Sequence, residues 1–273
     1  MLDVSRPTRL VLGTSLTLLV VFLYLPILTV LLASFSPSRF FSFPLPAWTG
    51  QWYGRVFDSL SIRDIMATSL TIALIVAVVA TVLALFGALA FARFQWRGRS
   101  LYQKLILLPI FMPQAVLGLA LLLWFSALGI TPSWQTAVFA HLVWIAPVAT
   151  LIVSIQVYGF DPALEEAAYD MGASRVQVFS EVTLPLLAPG LLSGFIFAFL
   201  LSWSNFALSM FTTGADQTVP GWLSAKMQSG YTPQVPALAS VTTAVAFVLL
   251  FAGYALVQWH LRRRAALAAT AEA

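Results

Sequence analysis

Six stretches of the chain, at about 10–34, 66–92, 104–128, 135–157, 187–210 and 237–261, are each long and apolar enough to cross a bilayer. Crossing about 30 Å of hydrocarbon takes about 20 mostly apolar residues. Lipid offers the backbone no hydrogen bonds, so a spanning segment must be a helix or part of a closed barrel. These stretches lack the period-two alternation of barrel strands, and they read as helices. Hydrophobic types make up 60% of the 273 residues and charged types 9%, against about 45–50% and about 25% in soluble domains. So few charges cannot wrap so large an apolar mass in water. The expected architecture is an all-α integral membrane protein of six transmembrane helices, one domain over 1–273, with membrane lipid as its outer solvent.

Pro109, Pro113 and Pro147 fall inside or near spans. Each removes a helix donor, so a kink or an opened turn is expected there. Arg6 and Arg9 precede the first stretch as they would a signal peptide, but its apolar run exceeds the roughly 7–15 residues of such a segment, and it reads as a retained span. Orientation follows the basic residues. With the N-terminus inside, inner segments carry Arg6, Arg9, Arg93, Arg97, Arg99, Lys104, Arg175, Arg262, Arg263 and Arg264, and outer segments carry Arg39, Arg55, Arg63 and Lys226. Ten against four places both termini in the cytoplasm. The longer outer segments, 35–65 and 212–236, contain Trp48, Trp52, Tyr53, Trp222 and Tyr231. These suit an interfacial aromatic belt, the docking of an external partner or gating of the pore.

Several chemistries are excluded. With no cysteine there are no disulfides, thiolate metal sites or cysteine nucleophiles. The net charge of +4 is accounted for by topology and comes with no basic patch interleaved with aromatics, so no nucleic-acid partner is expected. His141 is the one clearly interior ionisable residue, and His260 lies at a span end. Ion and proton pathways usually carry buried ionisable groups, so their scarcity argues for energy supplied from outside the membrane. The only lysines are Lys104 and Lys226, and neither lies in a phosphate-binding loop. Any ATP chemistry therefore belongs to another polypeptide. No metal, cofactor or catalytic residue is assigned to this chain. His141 reads as a hydrogen-bonded packing residue, since no second metal ligand is in view.

Between the fourth and fifth spans lies a cytoplasmic segment, 161–185, with strong helix-end signals. Asp161 can cap, Pro162 suits the first helical position and Gly172 suits the exit. Leu164, Ala167, Ala168 and Met171 share one face, and Glu166 and Asp170 lie opposite. Ser174 with Gln177 predicts a second capped helix, which Pro185 is expected to end. By itself the segment is either a surface helix packing on the bundle or a narrow helix built to enter a groove.

The order Glu166-Ala167-Ala168, Gly172, Val182, Leu184-Pro185 resembles the EAA loop of ABC importer permeases, departing only in Val182 where Ile is commoner. The resemblance implies the type I importer permease fold. It also implies that Glu166, Ala167, Ala168, Asp170, Gly172, Leu184 and Pro185 couple the spans to an ATPase subunit. Ala140-His141 with Pro147, Gly159-Phe160-Asp161, 170–174 and Thr232-Pro233 look most like the spermidine/putrescine branch. Such importers imply a second, homologous permease (a heterodimer), two ATP-binding subunits that hold ATP and Mg, and a periplasmic binding protein. They reside in the bacterial inner membrane.

Ser202, Trp203, Ser204 and Asn205 cluster in the fifth span. Polar groups at that depth either bond helices together or line a solute path. Polyamine permeases that resemble this chain carry acidic residues in the aligned stretch, and this chain has none. Either the partner permease supplies the charge, or the solute is another small polar molecule such as an amino acid derivative, an organophosphonate or ferric ion.

Overall fold

Apolar helices of this composition bury backbone polarity internally and leave side chains to meet lipid, and the computed structural model follows that rule. It describes residues 5–39 and 42–271, with side chains through Gln258. His260 and Arg262–Arg264 therefore lie outside the described side chains. Among the described residues the chain forms α1 (Arg6–Ala33), α2 (Gln51–Asp58), α3 (Leu60–Ala88), α4 (Arg99–Phe111), α5 (Gln114–Ala127) and α6 (Trp134–Gly159). It continues through α7 (Ala163–Asp170), α8 (Arg175–Gln177), α9 (Leu184–Trp203), α10 (Ser209–Thr212), α11 (Val219–Ser229) and α12 (Gln234–Ala271). Two π turns, Leu89–Arg93 and Val178–Thr183, extend α3 and join α8 to α9.

Five helical stretches qualify as membrane spans: Arg6–Ala33, Leu60–Arg93, Trp134–Gly159, Arg175–Trp203 and Gln234–Gln258. The third predicted span differs. It is two helices, Arg99–Phe111 and Gln114–Ala127, bent by 101°. Met112 and Pro113 sit between them in extended conformation, with ψ of 133° and 126°. The residue before a proline is pushed out of the helical region, so Pro113 breaks the helix, whereas Pro109 and Pro147 are absorbed inside α4 and α6. The fifth predicted span also changes at both ends. Pro185 does not end the run from Arg175; the chain widens into the Val178–Thr183 π turn just before it and continues as helix to Trp203. A proline lacks the N–H for the normal ladder and its ring crowds the carbonyl four residues back, and a π turn relieves that crowding locally. At the far end the helix stops at Trp203, where Ser204–Leu208 were expected to remain helical.

The chain forms two compact units. One comprises 1–63 and 223–245, the other 64–222 and 246–273. In the first, α1 is almost wholly exposed, with only Ala33 buried, as befits a helix facing lipid. Its C-terminal end is braced by aromatic residues. Tyr53 and Ser34 share a hydroxyl–hydroxyl bond of 2.7 Å, the Trp52 indole N–H donates to the Ser36 carbonyl at 2.7 Å, and the Arg55 guanidinium covers the Trp52 ring at 4.6 Å. The predicted belt thus divides by role. Trp48 is exposed, Trp52 and Tyr53 are structural braces, and Trp222, in the other unit, is buried.

The second unit is organised around α6, which packs against α4, α5, α9, α10 and the first π turn. Its closest partner is α9. A Cβ at Gly190 would sit 2.6 Å from Gln156 Cβ, and one at Gly194 would sit 3.0 Å from Val153 Cγ2. Lipid tails are as apolar as leucine, so helices in membranes associate through such close backbone approach and through polar bonds. The N-terminus of α6 is tied down by the Asp216 carboxylate, which accepts from Trp134 N–H at 2.9 Å, a favourable charge at that end of the helix dipole.

Candidate functional site

Two regions of the second unit carry the sequence-predicted residues. The first is the 161–185 loop. Ala163 N–H donates to the Asp161 carboxylate at 3.0 Å, so the acid caps as expected, with helix α7 starting one residue after Pro162. At the other end Gly172 adopts φ +86°. Gly172 N–H donates to Tyr169 C=O at 2.9 Å and Ala173 N–H to Ala168 C=O at 3.0 Å, the paired bonds of a Schellman exit. The second helix has its predicted capping box. Ser174 N–H donates to Gln177 Oε1 at 2.9 Å and Gln177 N–H donates to Ser174 Oγ at 3.4 Å.

Within α7 the residues of the EAA-like motif separate. Ala168 is buried, while Glu166, Ala167 and Asp170 are exposed. Leu184 and Pro185 are half-buried in the first turn of α9. The exposed side is unusually apolar for a surface outside lipid: Leu164 is 49% exposed, Tyr169 46%, Met171 83% and Val176 75%. Large apolar groups left in water at one place mark an interaction surface.

The sequence reading missed what fastens this loop. Glu165, the residue before the EAA glutamate, forms the one ion pair among the described residues, with Arg93 in the first π turn. Its other carboxylate oxygen accepts from the Thr183 hydroxyl in the second π turn. Arg93 also lies over the Phe160 ring at 5.2 Å, at the end of α6. A cavity of about 590 Å³ opens beside the pair, lined by Leu89, Phe94, Tyr169, Arg175 and Phe179. From the sequence alone Arg93 is one of the basic residues that set topology. A second acid beside the motif glutamate was the one available signal, and it named no partner 72 residues away.

The second region lies where the two broken helices meet. Asn205 Nδ2 donates to Gln114 Oε1 at 3.4 Å across the breaks, and Asn205 Oδ1 accepts from Leu208 N–H at 3.0 Å. The Ser209 hydroxyl donates to Asn205 C=O at 2.8 Å. His141 then bridges, with Nε2 at 3.0 Å from Ser209 Oγ and Nδ1 at 2.8 Å from Ser202 Oγ. Because the Ser209 proton is committed to Asn205, the network assigns the ring proton to Nε2, leaving Nδ1 to accept from Ser202. Trp203 is buried and stacks on Phe199 at 5.8 Å. Of the four residues singled out in this stretch, only Ser204 is exposed, its hydroxyl donating to Leu200 C=O at 2.8 Å. Gln114, which immediately follows Pro113, was not foreseen as part of the cluster.

The family model for the binding-protein-dependent transport system inner membrane component matches residues 80–266. The putrescine transport system permease protein PotI of Escherichia coli (strain K12) is 30% identical over 270 residues, covering 96% of this chain and 93% of that protein. The spermidine/putrescine transport system permease protein PotC of the same strain is 29% identical over 245 residues, covering 89% and 92%. A chain from the crystal structure of a bacterial ABC transporter involved in import of the acidic polysaccharide alginate shares the fold, with a TM-score of 0.68 at 18% identity over 94% of this chain and 99% of that one. The chain belongs to the binding-protein-dependent transport system inner membrane component family, as a non-catalytic, multi-pass permease subunit of an inner-membrane ABC importer.

Proposed function

We propose that this subunit forms half of the path for a polyamine, spermidine or putrescine, or a similar small organic amine. The solute is delivered by a periplasmic binding protein. The chain acts as one domain, with both termini cytoplasmic, and pairs with a second, homologous permease. Two ATP-binding subunits, which hold ATP and Mg, complete the importer, and one of them docks on the 161–185 loop through Glu166, Ala167, Asp170 and the exposed apolar groups. Ala168, Gly172, Leu184 and Pro185 fix the loop's shape and its join to α9. The observation that carries the docking role is the helix itself, capped at both ends yet leaving Leu164, Tyr169 and Met171 exposed outside the membrane. The substrate rests on the similarity to the putrescine and spermidine/putrescine permeases.

One feature favours a second reading. No carboxylate lies between Asp64 and Asp161 or between Glu181 and Asp216. A polycation leaving water needs compensating charge or dipoles, and the exposed Ser204 at the helix break supplies only a neutral hydroxyl. Under the polyamine reading the partner permease provides the acid; under the second, the solute is an uncharged, zwitterionic or anionic polar molecule. ATP hydrolysis by the complete complex in nanodiscs decides, with the binding protein empty or loaded with spermidine, putrescine or a non-amine solute. Stimulation by the polyamine-loaded form alone is expected. Stimulation only by another loaded form keeps the importer and removes the polyamine.

A further inference from the structure

Glu165 ties together segments that are distant in the sequence. One carboxylate oxygen holds Arg93, at the end of the α3 span, and the other holds Thr183, the residue before α9. Arg93 in turn rests on Phe160, the residue after α6. The ends of α3 and α9 therefore meet on one side chain in the first turn of α7, and the end of α6 joins them through Arg93. The pair is mostly shielded, with side-chain exposures of 19% for Arg93 and 17% for Glu165, so it is screened far less than a surface pair. Both Arg93 and Thr183 lie in π turns, which are deformable points in otherwise regular helices and recur at functional sites. The motif glutamate, Glu166, makes no such contact and faces outward.

We infer that Glu165, through Arg93 and Thr183, is the positioning residue that makes α7 and the ends of α3 and α9 move as one body. Displacement of α7 by a partner is then delivered to the spans instead of being lost in a flexible loop. This rests on α7 being the surface that meets the ATPase, as proposed above. In this division of labour Glu166 meets the partner and Glu165 transmits.

The test is made on the full complex in nanodiscs, comparing wild type, Glu165→Gln, Glu165→Ala and the charge-exchanged pair Arg93→Glu with Glu165→Arg. The quantity read is ATP hydrolysed per solute taken up, normalised to assembled complex. Glu165→Gln keeps size and one acceptor and is the variant that decides should Glu165→Ala fail to assemble. Expected is at least a tenfold rise in ATP consumed per solute for either single variant, with at least half of the loss recovered in the exchanged pair. A merely structural role would lower the amount of complex without moving that ratio. A Glu165→Gln complex with the wild-type ratio overturns the inference. A wild-type complex that contains no ATPase, or whose hydrolysis ignores every loaded binding protein, instead overturns the reading on which the inference rests.

Discussion

The 161–185 loop and the helix break around Asn205 are both irregular, but they treat their polar and apolar groups in opposite ways. At the break, every polar side chain named there has a partner: His141 uses both ring nitrogens, Asn205 uses its oxygen and its nitrogen, and Ser209 links the two. An unpaired polar group in that environment is costly, so the break is closed on itself. The loop satisfies its backbone with the Asp161 cap and the Gly172 exit, yet it leaves Leu164, Tyr169, Met171 and Val176 uncovered. It is complete as a fold and incomplete as a surface. The contrast is one of closure: the break pairs its polar groups internally, and the loop leaves the apolar surface on which the proposed partner docks.

Ser202→Ala with Ser209→Ala strips both ring nitrogens of His141, and each orphaned buried group costs about 1–3 kcal/mol. A clear drop in the thermal midpoint of the purified complex is expected, and an unchanged midpoint would mean the network is wet or loosely held. Gly172→Leu comes next. A side chain at φ +86° brings about 1–2 kcal/mol of strain, roughly a tenfold shift against the native exit. ATP-driven uptake should fall by about that factor while the thermal midpoint stays within a few degrees. Met171→Asp sharpens the loop side. Losing a methionine from an apolar contact removes about 1.5–3 kcal/mol, so the ATPase should be lost on purification with no loss of the folded chain. The smallest effect belongs to Ser204→Ala. As an exposed site it should move stability by no more than about 0.5 kcal/mol, and a few-fold rise in KM for uptake would place it on the solute path. Wild-type uptake kinetics would confine the path elsewhere.

What was legible in the sequence depended on how far apart the cooperating residues lie. Five of the spans follow from local hydropathy. Asp161, Gly172 and the Ser174–Gln177 box speak within three residues of where they act, and the structure shows each in place. Pro113 could be read as a disturbance but not as a 101° bend, because Pro109 and Pro147 bear the same signal and stay helical. Pro185 reads as a stop, and the structure instead carries a π turn just before it that relieves the proline's crowding and lets the helix run on. The cluster at the break was half visible. Ser202 and Asn205 stand out as polar residues in a span, but Gln114 and His141 join them only through tertiary contact, 91 and 61 residues from their bonded partners, while Ser209, bonded to Asn205 four residues back, reaches His141 across 68. The Arg93–Glu165 pair was hidden for the same reason.

The absence of cysteine from the chain permits the most direct test of its central claim, that the exposed face of α7 is where the ATPase sits. Met171→Cys places a single thiol on the loop, and Val248→Cys places one within the apolar Gln234–Gln258 span of α12, at a position 69% exposed. Each is labelled with a photoreactive maleimide in assembled complex and illuminated. A covalent product between the Met171→Cys chain and a P-loop ATPase subunit is expected, and none from Val248→Cys. Cross-linking of the ATPase from α12 but not from Met171, or from neither, would contradict the claim.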